Sequence, residues 1–196
     1  SQIITHYPKT LDIGKRITQQ EARLKEVQRA NISVNEIAKD LVEQIAFEAR
    51  KSEYVDSKSG VSARLTISAF ENLIASAERR SIINNEKNAS IRIADFAGVI
   101  PSITGKVELV YEGEQEGPGI VAQNLVGKAL RTQFINYFPD PDKFRKQKEK
   151  SPYKKIANWF GDGNTIDLLN DVSQAEFEKT LKGIPGLEEL VSEFHK

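Results

Sequence analysis

The sequence predicts a mainly helical protein, an all-α fold with at most one short strand near residues 106–111. Three observations carry that expectation. First, Thr18-Gln19-Gln20-Glu21, Ser33-Val34-Asn35-Glu36 and Ser173-Gln174-Ala175-Glu176 are capping boxes, in which a hydroxyl and a carboxylate satisfy amide donors that a first helical turn leaves unpaired. Second, apolar residues recur through much of the chain at three- and four-residue steps, the period of a helix with one buried face. Third, only residues 106–112 alternate charged and apolar side chains, and no neighbouring run offers them an obvious strand to pair with.

Tyr7-Pro8 opens an irregular lead-in, and the first box predicts a helix over 18–30. The second begins the clearest amphipathic helix, 34–53, with Val34, Ile37, Ala38, Leu41, Val42, Ile45 and Ala46 on its apolar stripe. Glu36, Lys39, Asp40, Glu43 and Glu48 make its polar face, read as solvated surface. A polar break at 56–60 precedes a third helix from about Ser62 to Asn84-Asn85, carrying Ile67, Phe70, Leu73, Ile74 and Ala77. Residues 91–104 are apolar but hold Gly98 and Pro101, which predicts a short helix bent or stopped near the proline. The alternating run 106–112 reads as an edge strand or a helical end, and 113–119 as a glycine- and glutamate-rich loop. A long helix then spans Val121 to Tyr137. Residues 143–155, dense in lysine and arginine, read as an exposed linker. Tyr153, Ile156, Ala157, Trp159 and Phe160 form a compact aromatic helix stopped at Gly161. Two closing helices follow the third box, separated by Gly183 and Pro185. The expected organisation is therefore a helical domain over 1–90, a helical extension over 91–142, a basic linker over 143–155 and C-terminal helices over 156–196.

Composition narrows the chemistry. The 196 residues carry 28 basic and 28 acidic side chains, so overall charge gives no push toward nucleic acid or an anionic membrane. Cysteine is absent, which removes disulfides, thiolate metal sites and a cysteine nucleophile and fits a reducing, cytoplasmic setting. No apolar run reaches the ~18 residues of a membrane span, and the opening Ser1-Gln2-Ile3-Ile4-Thr5-His6 lacks the pattern of a signal peptide. Methionine is missing even at position 1, as expected of an excised or processed piece.

Catalytic motifs are scarce. Gly105-Lys106-Val107 and Gly127-Lys128-Ala129 lack the upstream glycine and the following hydroxyl of a phosphate loop, whose amides and ammonium share the phosphate charge while the hydroxyl holds magnesium. An apolar run ending in paired acids is also missing, so the chain is not expected to bind and split ATP alone. His6 and His195 lie at opposite ends without a ligand spacing. Asp162-Gly163-Asn164 lacks the further ligands of a calcium loop and reads as a helix-ending turn. The acidic run 112–117 reads as a solvated hinge ahead of a cation site. One arrangement stands out: Ser59-Gly60-Val61-Ser62-Ala63-Arg64 puts an arginine in the first turn of a helix, where its fork can pair with phosphate oxygens bound on a neighbouring domain.

Gly60-Val61-Ser62-Ala63-Arg64-Leu65, followed on its helix by Ala77-Glu78-Arg79-Arg80, resembles the sensor-2 region of AAA+ ATPases of the magnesium chelatase subunit I and MoxR group. Tyr7-Pro8 and Ile17-Thr18-Gln19-Gln20-Glu21-Ala22 resemble that family's passage from the ATP-binding domain into its helical lid. The likeness covers roughly residues 7–85, and residues 100–114 resemble a C-terminal extension found in some relatives. It implies that Arg64 is the sensor-2 arginine, contacting the γ-phosphate of ATP in cis or in trans, and that helices 18–30 and 34–53 move with nucleotide state. ATP and Mg²⁺ would be cofactors of the whole ATPase and not of this chain alone. The implied partners are the ATP-binding core of the same protein, neighbours in a homo-oligomeric ring and a protein client, without a membrane. Phosphate loop, magnesium-holding acids and sensor-1 residue are all absent from these residues.

Two other readings compete. Tyr153, Trp159, Phe160 and the closing leucines would serve a non-enzymatic adaptor if they were exposed, although core packing is the expectation for them. Lys143, Arg145, Lys146, Lys148, Lys150, Lys154 and Lys155, with Tyr153 and Trp159 for stacking, would suit nucleic acid, which is not the expected partner because such a run is ordinarily a solvated linker.

Overall fold

The computed structural model describes residues 6–194, the side chain of Lys148 excepted. Helices α1 (Leu11–Glu21), α2 (Glu26–Asn31), α3 (Glu36–Lys51), α4 (Arg64–Ile83), α5 (Ile100–Thr104), α6 (Tyr111–Glu116), α7 (Pro118–Tyr137), α8 (Lys154–Gly161), α9 (Gln174–Lys182) and α10 (Leu187–Phe194) follow one another. Strands β1 (Ile32–Ser33) and β2 (Ala89–Ser90) form a two-residue parallel pair, Ile32 opposite Ala89. The fold is all-α, as expected. No helix among the described residues is long and apolar enough to cross a membrane.

The chain divides into two units, 1–133 and 134–196. In the first, α4 is the centre: α1, α3, α5, both strands and the 3-10 segment Ile93–Val99 pack on it. Leu65, Ala69, Leu73 and Ala77, four residues apart, are fully buried, and Leu41, Ile45 and Ala49 repeat the spacing on α3. Rows of that spacing are the ridges by which helices interdigitate, and the alanines allow close approach. The core continues past residue 90 through Phe96, Val99, Ile103, Val107, Val121 and Leu125, so the expected lid and most of the expected extension share one interior.

Several boundaries differ from expectation. Thr18 is no cap: α1 starts at Leu11, where Thr10 Oγ1 accepts from the Ile13 amide at 3.3 Å. The expected helix 18–30 is broken at 22–25, because Glu71 of α4 accepts from the Arg23 amide at 2.8 Å and Gln28 accepts from the Lys25 amide at 3.0 Å. Ser33 belongs to β1, and Asn35 caps α3 by accepting from the Ala38 amide at 2.8 Å. Pro101 sits at the start of α5 and does not stop it, a position where the missing N–H costs nothing. The alternating run finds its partner in 54–56: Val55 and Leu109 form an antiparallel bridge, flanked by Asp56 N to Glu108 O (2.9 Å) and Val110 N to Tyr54 O (3.0 Å). Much of the expected loop 113–119 is helical, in α6 and the start of α7.

The polar face assigned to α3 is also not solvated throughout. Glu43 and Gln44 are buried, and Glu48 is half-buried. Helix α7 covers Gln44 and Glu48, Gln133 donating to Gln44 at 3.0 Å and Thr132 to Glu48 at 3.1 Å.

The second unit holds the last turn of α7, the 3-10 segments Pro141–Phe144 and Lys148–Lys150, and α8 to α10. Phe134 stacks on Phe138 at 5.1 Å, and the Tyr153 hydroxyl donates to Pro139 O at 2.5 Å. Ser173 caps α9 as its box predicts, accepting from the Glu176 amide at 3.3 Å. Asp162-Gly163-Asn164 is the helix-ending turn expected, with Gly163 at φ +88°.

A buried ion pair ties the far end of α4 to the segment that follows it. Arg80, 1 % exposed, donates to Asp95 through Nε (3.2 Å) and Nη2 (3.0 Å) and to Ser90 O at 2.7 Å, while Asp95 also accepts from the Arg92 amide at 2.7 Å. Removing one member strands the other in the core. Asp95→Ala is therefore expected to lower the stability of the first unit by about 3–5 kcal/mol, read as an earlier midpoint in urea unfolding, whereas replacing Arg80 and Asp95 together by Met and Leu costs much less.

Candidate functional site

Arg64 is the first residue of α4, and its side chain is exposed. No ion pair or side-chain hydrogen bond holds its guanidinium among the described residues. The helix start around it carries no acid, although the positive end of the helix dipole favours one. Ala63 at the cap offers no side-chain acceptor, and Ser62 Oγ instead accepts from the Arg64 amide at 3.2 Å.

The residues leading into this turn are firmly placed. Asp56 accepts from the Lys58 amide and from the Ser59 hydroxyl, both at 2.9 Å, and these bonds hold its carboxyl below the usual range. The same hydroxyl also lies within hydrogen-bond reach of the Glu108 carboxylate, so its one proton is shared between the two acids. Gly60 then takes φ +70°, and a Cβ there would lie 2.1 Å from the Tyr7 hydroxyl oxygen, so both the backbone conformation and the space call for glycine.

Two side chains of α3 reach this segment. Arg50 donates to Val61 O at 3.4 Å, its guanidinium 4.6 Å from the Tyr7 ring centroid and 5.4 Å from that of Phe47, a geometry in which the ring faces attract the cation. Burial lowers its pKa, opposed by Tyr7 and Glu43. Glu43, 3 % exposed, accepts from Thr18 Oγ1 at 2.5 Å, and Thr18 Oγ1 lies 2.9 Å from Thr66 Oγ1. Thr66, two residues past Arg64, has its hydroxyl 3.1 Å from Ala63 O. Helix α1 comes close enough to enclose the carboxylate: a Cβ on Gly14 would fall 2.2 Å from Glu43 Oε2. Beside this contact Lys15 bridges α1 and α3, its Nζ 2.8 Å from Asp40, 3.1 Å from Asp12 and 3.4 Å from Glu36. Its pKa is raised, Asp40 contributing most.

Arg64 thus lies where the sequence predicted, on an exposed first turn. Arg80, which shared the quoted motif, is instead a core residue. Sequence reading missed Glu43, Arg50 and Thr18; the signal for Glu43 and Thr18 was a carboxylate between the apolar pairs Leu41-Val42 and Ile45-Ala46 and a glycine four residues before a threonine on the facing helix.

Other candidate residues are dispersed. His6 is exposed, and His195 lies outside the described residues. No group of three His, Asp or Glu side chains among the described residues is arranged to hold a metal ion. A cavity of about 40 Å³ among Ile103, Val107, Leu109, Val121 and Leu125 is far too small for a nucleotide. Within the basic run of the second unit, Arg145 pairs with Asp142, Lys154 with Glu149 and Lys155 with Glu189, so acids offset part of its charge. Tyr153 and Trp159 are half-buried, and Phe160, expected in a core, is 45 % exposed. No protein-family model, curated protein or solved structure matches the chain.

Burial raises the pKa of Glu43 above the usual 4.5, against the hydrogen bonds of Thr18 and Thr66 and the charges of Arg50 and Lys15. The folded chain then holds this proton more tightly than the unfolded one, so Glu43 makes stability fall as pH rises from 4.5 through its folded pKa, and the loss persists at neutral pH. Glu43→Gln keeps the acceptor without the charge. Urea midpoints taken from pH 4 to 8 are expected to coincide with those of the natural chain at the acid end and to exceed them at neutral pH.

Proposed function

We propose that residues 7–85 act as the helical lid of an AAA+ ATPase of the magnesium chelatase subunit I and MoxR group, with Arg64 as the sensor-2 arginine. The observation that carries this reading is Arg64 itself: an exposed guanidinium without a side-chain partner among the described residues, at a helix start that has no acid. Such a turn combines a charged fork with partial positive charge from backbone amides, and both favour a phosphate brought up to them. Supporting it further are the motif residues 60–65 and their helical setting.

In this reading the chain does no chemistry alone. The ATP-binding core supplies the phosphate loop and the acids that hold Mg²⁺, and Arg64 adds one charge-stabilising donor as charge builds on the transferring phosphoryl group. The lid moves with nucleotide state against the core and against ring neighbours, and that motion is passed to a protein client.

ATP turnover by the protein in which this chain accompanies the ATP-binding core tests the reading. Arg64→Ala is expected to slow it by about tenfold or more, with the unfolding midpoint of the lid not lowered, because the side chain makes no hydrogen bond or ion pair among the described residues and its charge opposes the helix dipole. Arg64→Lys, which keeps charge but loses the fork, falls between. Turnover equal to that of the natural protein in Arg64→Ala would overturn the assignment and turn attention to the adaptor reading.

A further inference from the structure

We infer that Glu43 and Arg50 are positioning residues that hold the first turn of α4 in place for Arg64; the inference rests on the lid reading above.

Seven residues separate the two, so they lie on one face of α3 about two turns apart. Both are directed at the same short segment. Arg50 fixes it before Arg64, through Val61 O. Glu43 fixes it after Arg64, through Thr18 to Thr66. The arginine is therefore bracketed, its backbone secured three residues upstream and two downstream while its side chain stays free. The anchors also bring in other parts of the chain: Tyr7 from the lead-in, whose ring lies on Arg50 and whose hydroxyl abuts Gly60, and α1, whose Gly14 and Thr18 enclose the Glu43 carboxylate.

Stability alone gives little reason for this arrangement. A carboxylate without an ion-pair partner inside the lid is costly to bury, and an apolar side chain of similar volume would ordinarily serve the core as well or better. Placement gives a reason. A charged donor assists a reaction only when held close to the productive geometry, within about 0.5 Å, and Arg is long and rotamer-rich, so the backbone that launches it must supply the precision. Together, Glu43 and Arg50 make the position of Arg64 depend on the packing of α1 and the lead-in against α3.

Two measurements test this. On the chain itself, hydrogen exchange of the amides of 61–66 is expected to speed up in Glu43→Leu and in Arg50→Met and to stay as in the natural chain in Glu43→Gln, which retains the acceptor. Unchanged exchange in both disruptive variants overturns the bracket whatever the chain's function. On the protein containing the ATP-binding core, Glu43→Leu and Arg50→Met are each expected to lower kcat by about fivefold with little change in KM, and to add nothing when Arg64 is already Ala, the non-additivity of residues acting through one another. Glu43→Gln restores the rate. Equal slowing with and without the Arg64 side chain would mark a general structural defect and overturn the inference, as would normal turnover in these variants alongside a slow Arg64→Ala. Normal turnover in Arg64→Ala removes the lid reading and this inference with it. If Glu43→Leu does not fold, Thr18→Val cuts the same link and is read by the same outcomes.

Discussion

Packing around α4 is the constraint from which the first unit follows. Helices α1, α3 and α5, both strands and the 3-10 segment Ile93–Val99 all pack on it, so only a narrow stripe through Arg64, Asn72, Ala75, Arg79 and Ile82 is left to solvent. Small and apolar residues alternate along its most buried row, Leu65, Ala69, Leu73 and Ala77, and α3 answers with Leu41, Ile45 and Ala49. Polar groups on such a helix must be satisfied inside the protein. Glu71 meets this by accepting from the Arg23 amide, Glu78 by accepting from Gln28, and Arg80 through Asp95 and Ser90. Those bonds decide where α1 ends and where β2 and the following segment lie.

The two buried acids of the unit illustrate opposite solutions to one electrostatic problem. Asp95 meets a guanidinium with both oxygens and a backbone amide as well, so its charge is compensated at short range. Glu43 has hydroxyl partners and only more distant cations, and its pKa rises accordingly. The first arrangement joins successive parts of the fold. The second joins α3 to α1 and, through Thr66, to the start of α4, at some cost in stability. Their difference is why the proposal above assigns Glu43 to the placement of Arg64 and leaves Asp95 to the fold.

What could be read from the sequence divides along the same line. Helix α4 was legible almost to its ends because its apolar spacing and the glycine before it are local signals. Asn35, Thr10 and the break at 22–25 were not, because tertiary contacts chose among nearby caps: the Arg23 amide is taken by a residue 48 positions later. The strand partner of Leu109 is a three-residue run, too short to show a period. Exposure of Arg64 followed from its place in a first turn. Burial of Glu43 depended on Gly14 admitting the facing helix, a close approach that no periodicity on α3 records.

Under the lid reading, the charge at the start of α4 is better understood through distance than through field strength. An exposed cation at a helix N-terminus opposes the dipole by roughly 0.3–1 kcal/mol, a small burden, and its field is screened over about 8 Å in physiological salt. At longer range Arg64 would attract a phosphate little better than any other surface cation. Its value as a donor arises only on contact, when water is excluded and the fork meets oxygen atoms directly. A group that acts only on contact depends more on where its backbone is held than on how much charge surrounds it. The free guanidinium and the fixed turn beneath it are thus complementary requirements, and the elements that fix the turn, α1, α3 and the lead-in at Tyr7, are those through which a change elsewhere in the protein would reach the nucleotide.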